Sequence, residues 1–262
     1  MKEFNERHMN MGYSDRRGVY NSLRIAIIGV DGSGKSSCFK GVLKKLSKKR
    51  FGGIGDEVFI SEKGKLLKPK IKYLKIKTFL GKRAKNIKNR TLYKILKFTE
   101  LILRVKLHDE IEKQYKPEII LTDGVPLINT LGWGNFYYPD IFSETICRDV
   151  IKYLTKIKIP LSWKGFYLKH SPEILFVNML GIKFQKPDIV FFLKVAPDVA
   201  VNRVVKRGKK RQVHETKIFL NKLQEAYQLV CKILGEDTKI YTIDTDEKTI
   251  KQLIDIVVEK IR

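Results

Sequence analysis

Residues 29–36 read Gly29-Val30-Asp31-Gly32-Ser33-Gly34-Lys35-Ser36 and fit the spacing GxxxxGK[ST]. The chemistry this run suits is phosphate binding. Glycines let the backbone curl with its N–H groups pointing inward around an anion. Lys35 is placed to reach the β- and γ-phosphates of a nucleotide, and the Ser36 hydroxyl can ligate Mg²⁺. The flanking sequence has the form such a loop needs. Residues 23–29 (LRIAIIG) are a short apolar, β-branched run that reads as a buried strand. From 36 to 47 the apolar residues Phe39, Val42, Leu43 and Leu46 recur at helical spacing. Strand, loop and helix together present a helix's positive end to the bound phosphates.

Asp123 ends a second apolar run, IILTD. In open parallel sheets ligands bind beyond the carboxyl ends of strands, and a carboxylate there can bind Mg²⁺ directly or through water. A turn or helix-cap aspartate is the competing reading. Arg203 and Arg207 share a helix face and lead into Gly208-Lys209-Lys210-Arg211. Cations on a closing lid can offset phosphate charge during transfer, whereas a basic helix end is also favoured by the helix dipole alone. Cys38 has no activating His partner in its neighbourhood and reads as a packing residue. His8, His108, His170 and His214 show no metal-ligand spacing.

The elements that must hold these residues alternate. Strand candidates fall at 57–60 (EVFI), 119–122, 189–195 (IVFFLKV) and 239–243, and helices at 94–112, 198–207, 218–234 and 250–261. Such alternation argues an α/β fold with a parallel sheet covered by helices on both faces. Residues 1–22 read as a flexible arm and 23–262 as one domain. An aromatic-rich insert spans about 132–181.

The bulk properties narrow the classes. With 53 Lys+Arg against 28 Asp+Glu the net charge is +25. Every charged residue from 63 to 97 is basic, with Glu62 and Glu100 at the two ends of the run. That field attracts a polyanion, either nucleic acid or an anionic membrane surface, unless the run is only a solvated face. There is no apolar stretch long enough to span a bilayer and no secretory leader in the arm. Cys38, Cys147 and Cys231 leave one thiol over from any pairing, which fits a reducing, cytoplasmic setting.

Several stretches resemble the thymidylate kinase family of P-loop nucleoside monophosphate kinases. They are IAIIGVDGSGKSS, IILTDG, KPDIVFFLKVAPDVAVNRVVKRG, FLNKLQEAYQLV and IYTIDTDEKTIKQLIDIVVEKI, and cover about half of the chain. The resemblance implies a P-loop kinase fold, ATP as donor, Mg²⁺ as cofactor, and a nucleotide or other phosphorylated acceptor. A second copy of the chain is a candidate partner. It places Gly29, Asp31, Gly32, Ser33, Gly34, Lys35, Ser36 and Ser37 on ATP, with Arg203 or Arg207 beside the adenine. It assigns catalysis to Lys35, Asp123, Arg207 and Arg211, Mg²⁺ to Ser36 and Asp123, and the acceptor side to Asp31 and Glu62.

Two positions depart from the family pattern. Where the family has Asp-Arg after the third strand, this chain has Asp123-Gly124. Where it has Arg-Glu-Pro after the second, this chain has Ser61-Glu62-Lys63. Neither glycine nor serine replaces a bidentate phosphate grip. A cation from elsewhere, with 63–97 as the nearest supply, must fill the gap, or the acceptor is not thymidylate. The expected activity is ATP-dependent phosphoryl transfer of the thymidylate kinase type. The alternatives are a kinase of the same fold with another acceptor, or an ATP-binding protein docked on nucleic acid or membrane with little transfer activity.

Overall fold

The structure, a computed structural model, describes residues 22–87, 89–139, 143–155, 177, 179–208 and 215–261. At the centre of its sheet β1 (Leu23–Ile28) lies between β5 (Ile119–Asp123) and β6 (Ile189–Lys194), parallel to both. Parallel strands continue outward as β7 (Lys239–Asp244) beside β6 and β2 (Phe51–Ile54) beside β5. Antiparallel β3 (Val58–Glu62) and β4 (Lys65–Leu67) extend the β2 edge. The order is β4-β3-β2-β5-β1-β6-β7.

Five of the seven strands form the expected parallel sheet, and antiparallel β3 and β4 at one edge make the whole sheet mixed. Only residues 55–57 join β2 to β3, and a parallel crossover needs a dozen or more. The strand expected at 57–60 is therefore the antiparallel β3. The parallel neighbour of β5 is FGGI, whose paired glycines are poor strand formers and concealed it.

The helices are α1 (Lys35–Lys45), α2 (Lys72–Asn86), α3 (Arg90–Tyr115), α4 (Pro126–Tyr137), α5 (Glu144–Leu154), α6 (Pro197–Lys206), α7 (Lys217–Leu234) and α8 (Ile250–Ile261). α3 starts earlier than its apolar stripe suggests because the Asn89 side chain accepts from Leu92 N–H at 3.0 Å. α4 carries no apolar–polar period because its first two turns, Pro126 to Gly132, are buried except at Asn129.

Side chains alternate across the sheet with the period of two that a strand imposes. Ile25 and Ile27 of β1 join Phe191 and Leu193 of β6 in a core shared with α1 and α8. Ala26 and Ile28 join Val190 and Phe192 in the opposite core, with α4, α5 and α7. This double burial explains why these strands read as continuous apolar runs. Cys38, Cys147 and Cys231 are buried thiols within these layers, each pushed up to about 12, first of all by burial.

The arm expected over 1–22 lies outside the described residues except at Ser22. That residue is buried, and its hydroxyl donates to Pro117 O at 2.6 Å. Of the expected insert, 140–142, 156–176 and 178 lie outside the described residues. Its remainder contains the end of α4 and all of α5.

Candidate active site

Beyond the carboxyl ends of β1, β2 and β5 lies a cleft of about 610 Å³. Its floor is the glycine-rich loop. Gly34 ends that loop in the left-handed region, φ 87°, and α1 begins with neither a side-chain cap nor an acidic residue in its first turn. The first N–H groups of α1 are thereby left for an anion.

Gly32 is also left-handed, φ 87°, and a Cβ there would sit 2.4 Å from Ala200 O and 2.8 Å from Ala200 Cα. The loop is pressed against α6 so closely that only glycine fits. A basic side chain at this position, as some members of the resembling family have, would have to push α6 away.

Lys35 Nζ donates to Asp31 Oδ1 at 2.8 Å and to Val30 O at 3.3 Å. Burial alone would lower its affinity for a proton, but Asp31 and Asp123 together outweigh that and hold Lys35 above the ordinary lysine range. Lys35 is therefore fully charged at neutral pH. Asp123 is pushed up by burial, against the pull of Lys35, the Ser36 hydroxyl and Arg104. Its Oδ1 is buried with no hydrogen-bond partner. An unpartnered carboxylate oxygen beside the exposed Ser36 is a hard-oxygen donor set that suits Mg²⁺. Ser37 also lines the cleft, whereas Ser33 is fully buried behind the loop.

Arg207 reaches the cleft and pairs with the buried Glu215. Arg203 does not line it. Its guanidinium donates to Thr245 O at 2.7 Å, Asp246 O at 2.9 Å and Gly32 O at 3.4 Å, tying α6 to the loop after β7 and to the glycine-rich loop. Lys209, Lys210 and Arg211 lie outside the described residues.

Glu62 does not line the cleft, against expectation. It is exposed in the β3–β4 hairpin opposite Lys65, at the end of β3 remote from the site. The loop that follows the parallel strand is Gly55-Asp56-Glu57, and Asp56 lines the cleft instead.

Sequence reasoning missed the wall made by α3. Tyr93, Lys97, Glu100, Leu101 and Arg104 share one face of that helix and all line the cleft. Lys97, Glu100 and Arg104, recurring at helical spacing, were the signal available. Arg104 donates to Asp123 O at 3.0 Å and Glu100 Oε1 at 3.1 Å, and lies 3.5 Å from Asp56 Oδ1. Lys97 donates to Glu100 Oε2 at 2.9 Å. Burial alone would raise the Glu100 carboxyl, but Arg104 and Lys97 hold it down at about 2. Arg104 thus brings a cation beside Gly124, one of the two positions where the family-pattern arginines were missing.

Gly124 has φ 74°, and a Cβ there would lie 2.8 Å from Asn129 Nδ2. An arginine would be strained at this position. The far end of the cleft is aromatic: Trp133 lies 5.7 Å from Tyr93 and 5.3 Å from Phe219, centroid to centroid, and Tyr227 Oη donates to Asn129 Oδ1 at 3.1 Å.

Residues 167–256 match the family model described as thymidylate kinase. The carboxyl-terminal third of the chain is thymidylate kinase-like. Over 68 residues the chain is 35% identical to the thymidylate kinases of two Leptospira interrogans serovars, Copenhageni and Lai. That match covers 26% of this chain and spans about a third, 32%, of the relatives' length.

Solved structures extend the likeness over the fold. The thymidylate kinase of Candida albicans superposes with a TM-score of 0.56 at 16% identity, covering 92% of this chain and 91% of its own. The deoxyadenosine kinase of M. mycoides, solved with dCMP and a flexible dCDP, gives a TM-score of 0.51 at 19% identity, covering 91% and 98%. The chain has the P-loop kinase fold.

Proposed function

We propose that the protein is a nucleotide kinase of the thymidylate kinase type, transferring the γ-phosphoryl group of ATP to a nucleoside monophosphate. One observation carries this reading. A single cleft is lined both by the phosphate-binding loop with Lys35 and by Arg104 and Lys97 of α3, so that one space offers cations to two anionic reactants. Lys35 and the first N–H groups of α1 grip the donor phosphates and stabilise charge on the transferred group. Arg207 exchanges Glu215 for phosphate oxygens, and Arg211 is a second cation for the transferred group. Arg104 and Lys97 take the acceptor phosphate or base, while Asp31 orients the acceptor sugar. Trp133 and Tyr93 supply an apolar wall for the base. Ser36 and Asp123 hold Mg²⁺, which when bound neutralises donor phosphate charge. Catalysis is then mostly positioning and electrostatics.

A second reading is favoured by Asp56. Its carboxylate stands on the acceptor side beside Arg104, where it can accept a proton from a hydroxyl. The acceptor is then a deoxynucleoside rather than its monophosphate. ATP consumption measured against a panel of nucleosides and nucleoside monophosphates, with an acceptor-free control, decides between the two. Turnover with no acceptor of either kind overturns both.

A further inference from the structure

We propose that the outward face of α2 docks the protein on an anionic lipid bilayer. This goes beyond the nucleotide site and does not depend on it. α2 packs on α3 and buries Lys77 and Ala84 on the inner side. Its outer side exposes Ile76 and Phe79, at 52% and 56%, as i,i+3 neighbours. Arg83 lies on the same face, with its guanidinium 5.4 Å from the Phe79 ring centroid.

Lys75 and Lys82, two turns apart, are both exposed on one flank of this face, and Lys65 and Lys70 are exposed in the residues that lead into the helix. A shallow hollow of about 360 Å³ has Leu74, Thr78 and Phe79 for walls and Lys75 and Lys82 at its rim. Apolar side chains surrounded by cations match the bilayer boundary, where headgroup phosphates lie just above acyl chains. No helix among the described residues is long and apolar enough to cross a membrane, so the contact is peripheral.

The same residues argue against two other occupants. The phosphates of a nucleic acid duplex call for cations but give exposed isoleucine and phenylalanine nothing to bury against. A second copy related by a two-fold axis through α2 would set cations against cations, because 63–97 contains no carboxylate.

Co-sedimentation tests this with vesicles of phosphatidylglycerol and phosphatidylcholine, or phosphatidylcholine alone, at low and high salt. Wild type is compared with Lys75→Gln/Lys82→Gln/Arg83→Gln and with Ile76→Ser/Phe79→Ser. Wild type should pellet with the anionic vesicles only, and less as salt rises. Each cation near the surface contributes about fivefold, so the triple variant should partition on the order of 100-fold more weakly. The serine pair should also weaken binding, and Mg·ATP affinity should be unchanged in both variants. No pelleting at low salt overturns the proposal. A DNA mobility shift unaffected by the serine pair assigns the face to nucleic acid instead. A dimer on gel filtration that the serine pair dissolves assigns it to a second copy.

Discussion

Lys77 is a buried cation whose effect on stability should show as a pH dependence of known sign. Its ammonium is 2% exposed and donates to Gly55 O at 2.5 Å and Asp56 O at 2.6 Å, anchoring the turn that carries Asp56 into the cleft. Burial first, then the Arg104 charge, lowers it from 10.5 to about 8, against the partial support of Glu100 and Asp56. At about 1.4 kcal/mol per decade, holding this charge in the folded protein costs about 3 kcal/mol at neutral pH. Below about pH 8 both folded and unfolded chains keep the proton, and the whole cost is present. Between about 8 and 10.5 the unfolded chain binds more protons, so stability rises with pH. Above 10.5 the cost is gone.

Lys77→Met removes that rise. It also leaves two carbonyls without a donor, at about 1–3 kcal/mol each, so its stability at pH 7 should lie between about 1 kcal/mol above and about 3 kcal/mol below wild type. Urea unfolding of both proteins from pH 7 to 10.5 measures the effect. Cys38, Cys147 and Cys231 pull the other way from about pH 9, since burial keeps their protons on. They do so in both proteins, and the difference between the two curves isolates Lys77. Parallel curves would refute the reasoning.

Lys35→Ala should lower ATP-dependent turnover by 100-fold or more, an order-of-magnitude expectation for a lost phosphate-gripping charge, with little change in urea midpoint; calorimetric titration with Mg·ATP checks the binding loss. Asp123→Asn should lower turnover and shift the Mg²⁺ titration to higher concentration, with a smaller effect on ATP affinity, and an unchanged titration returns Asp123 to a turn residue. Gly32→Ala should destabilise by about 2–4 kcal/mol, because its Cβ would meet Ala200 O at 2.4 Å. Thermal unfolding measures that cost, and a melting temperature equal to wild type would show that α6 yields freely.

The donor half of the cleft was legible in the sequence because its determinants are contiguous. Residues 29–36 form loop and helix start in one stretch, and the apolar run before them can only be a strand buried on both faces. The acceptor half was not legible. Arg104 is separated from Asp123 by the end of α3 and β5, and it meets Asp56 only because β2 and β5 are neighbours. The family resemblance puts Glu62 on the acceptor side because it closes the strand, β3, that aligns with the family's second. That strand runs antiparallel, so Glu62 points to the other end of the sheet.

Local spacing by itself determined the phosphate loop, the central parallel strands and the amphipathic helices α7 and α8, since each depends on neighbours a few residues away. Tertiary structure alone decided which charges share a site. The basic run divides three ways: Lys77 goes inward to hold a turn, Lys97 joins Glu100 on the cleft wall, and Lys75 and Lys82 remain outside. Helix periodicity separates faces, but only packing chooses which face is covered. On α2 packing covers a lysine and leaves Ile76 and Phe79 exposed. Burying Lys77 is tolerable because two backbone carbonyls and nearby Glu100 are there to receive its charge, and those partners come from β2 and α3.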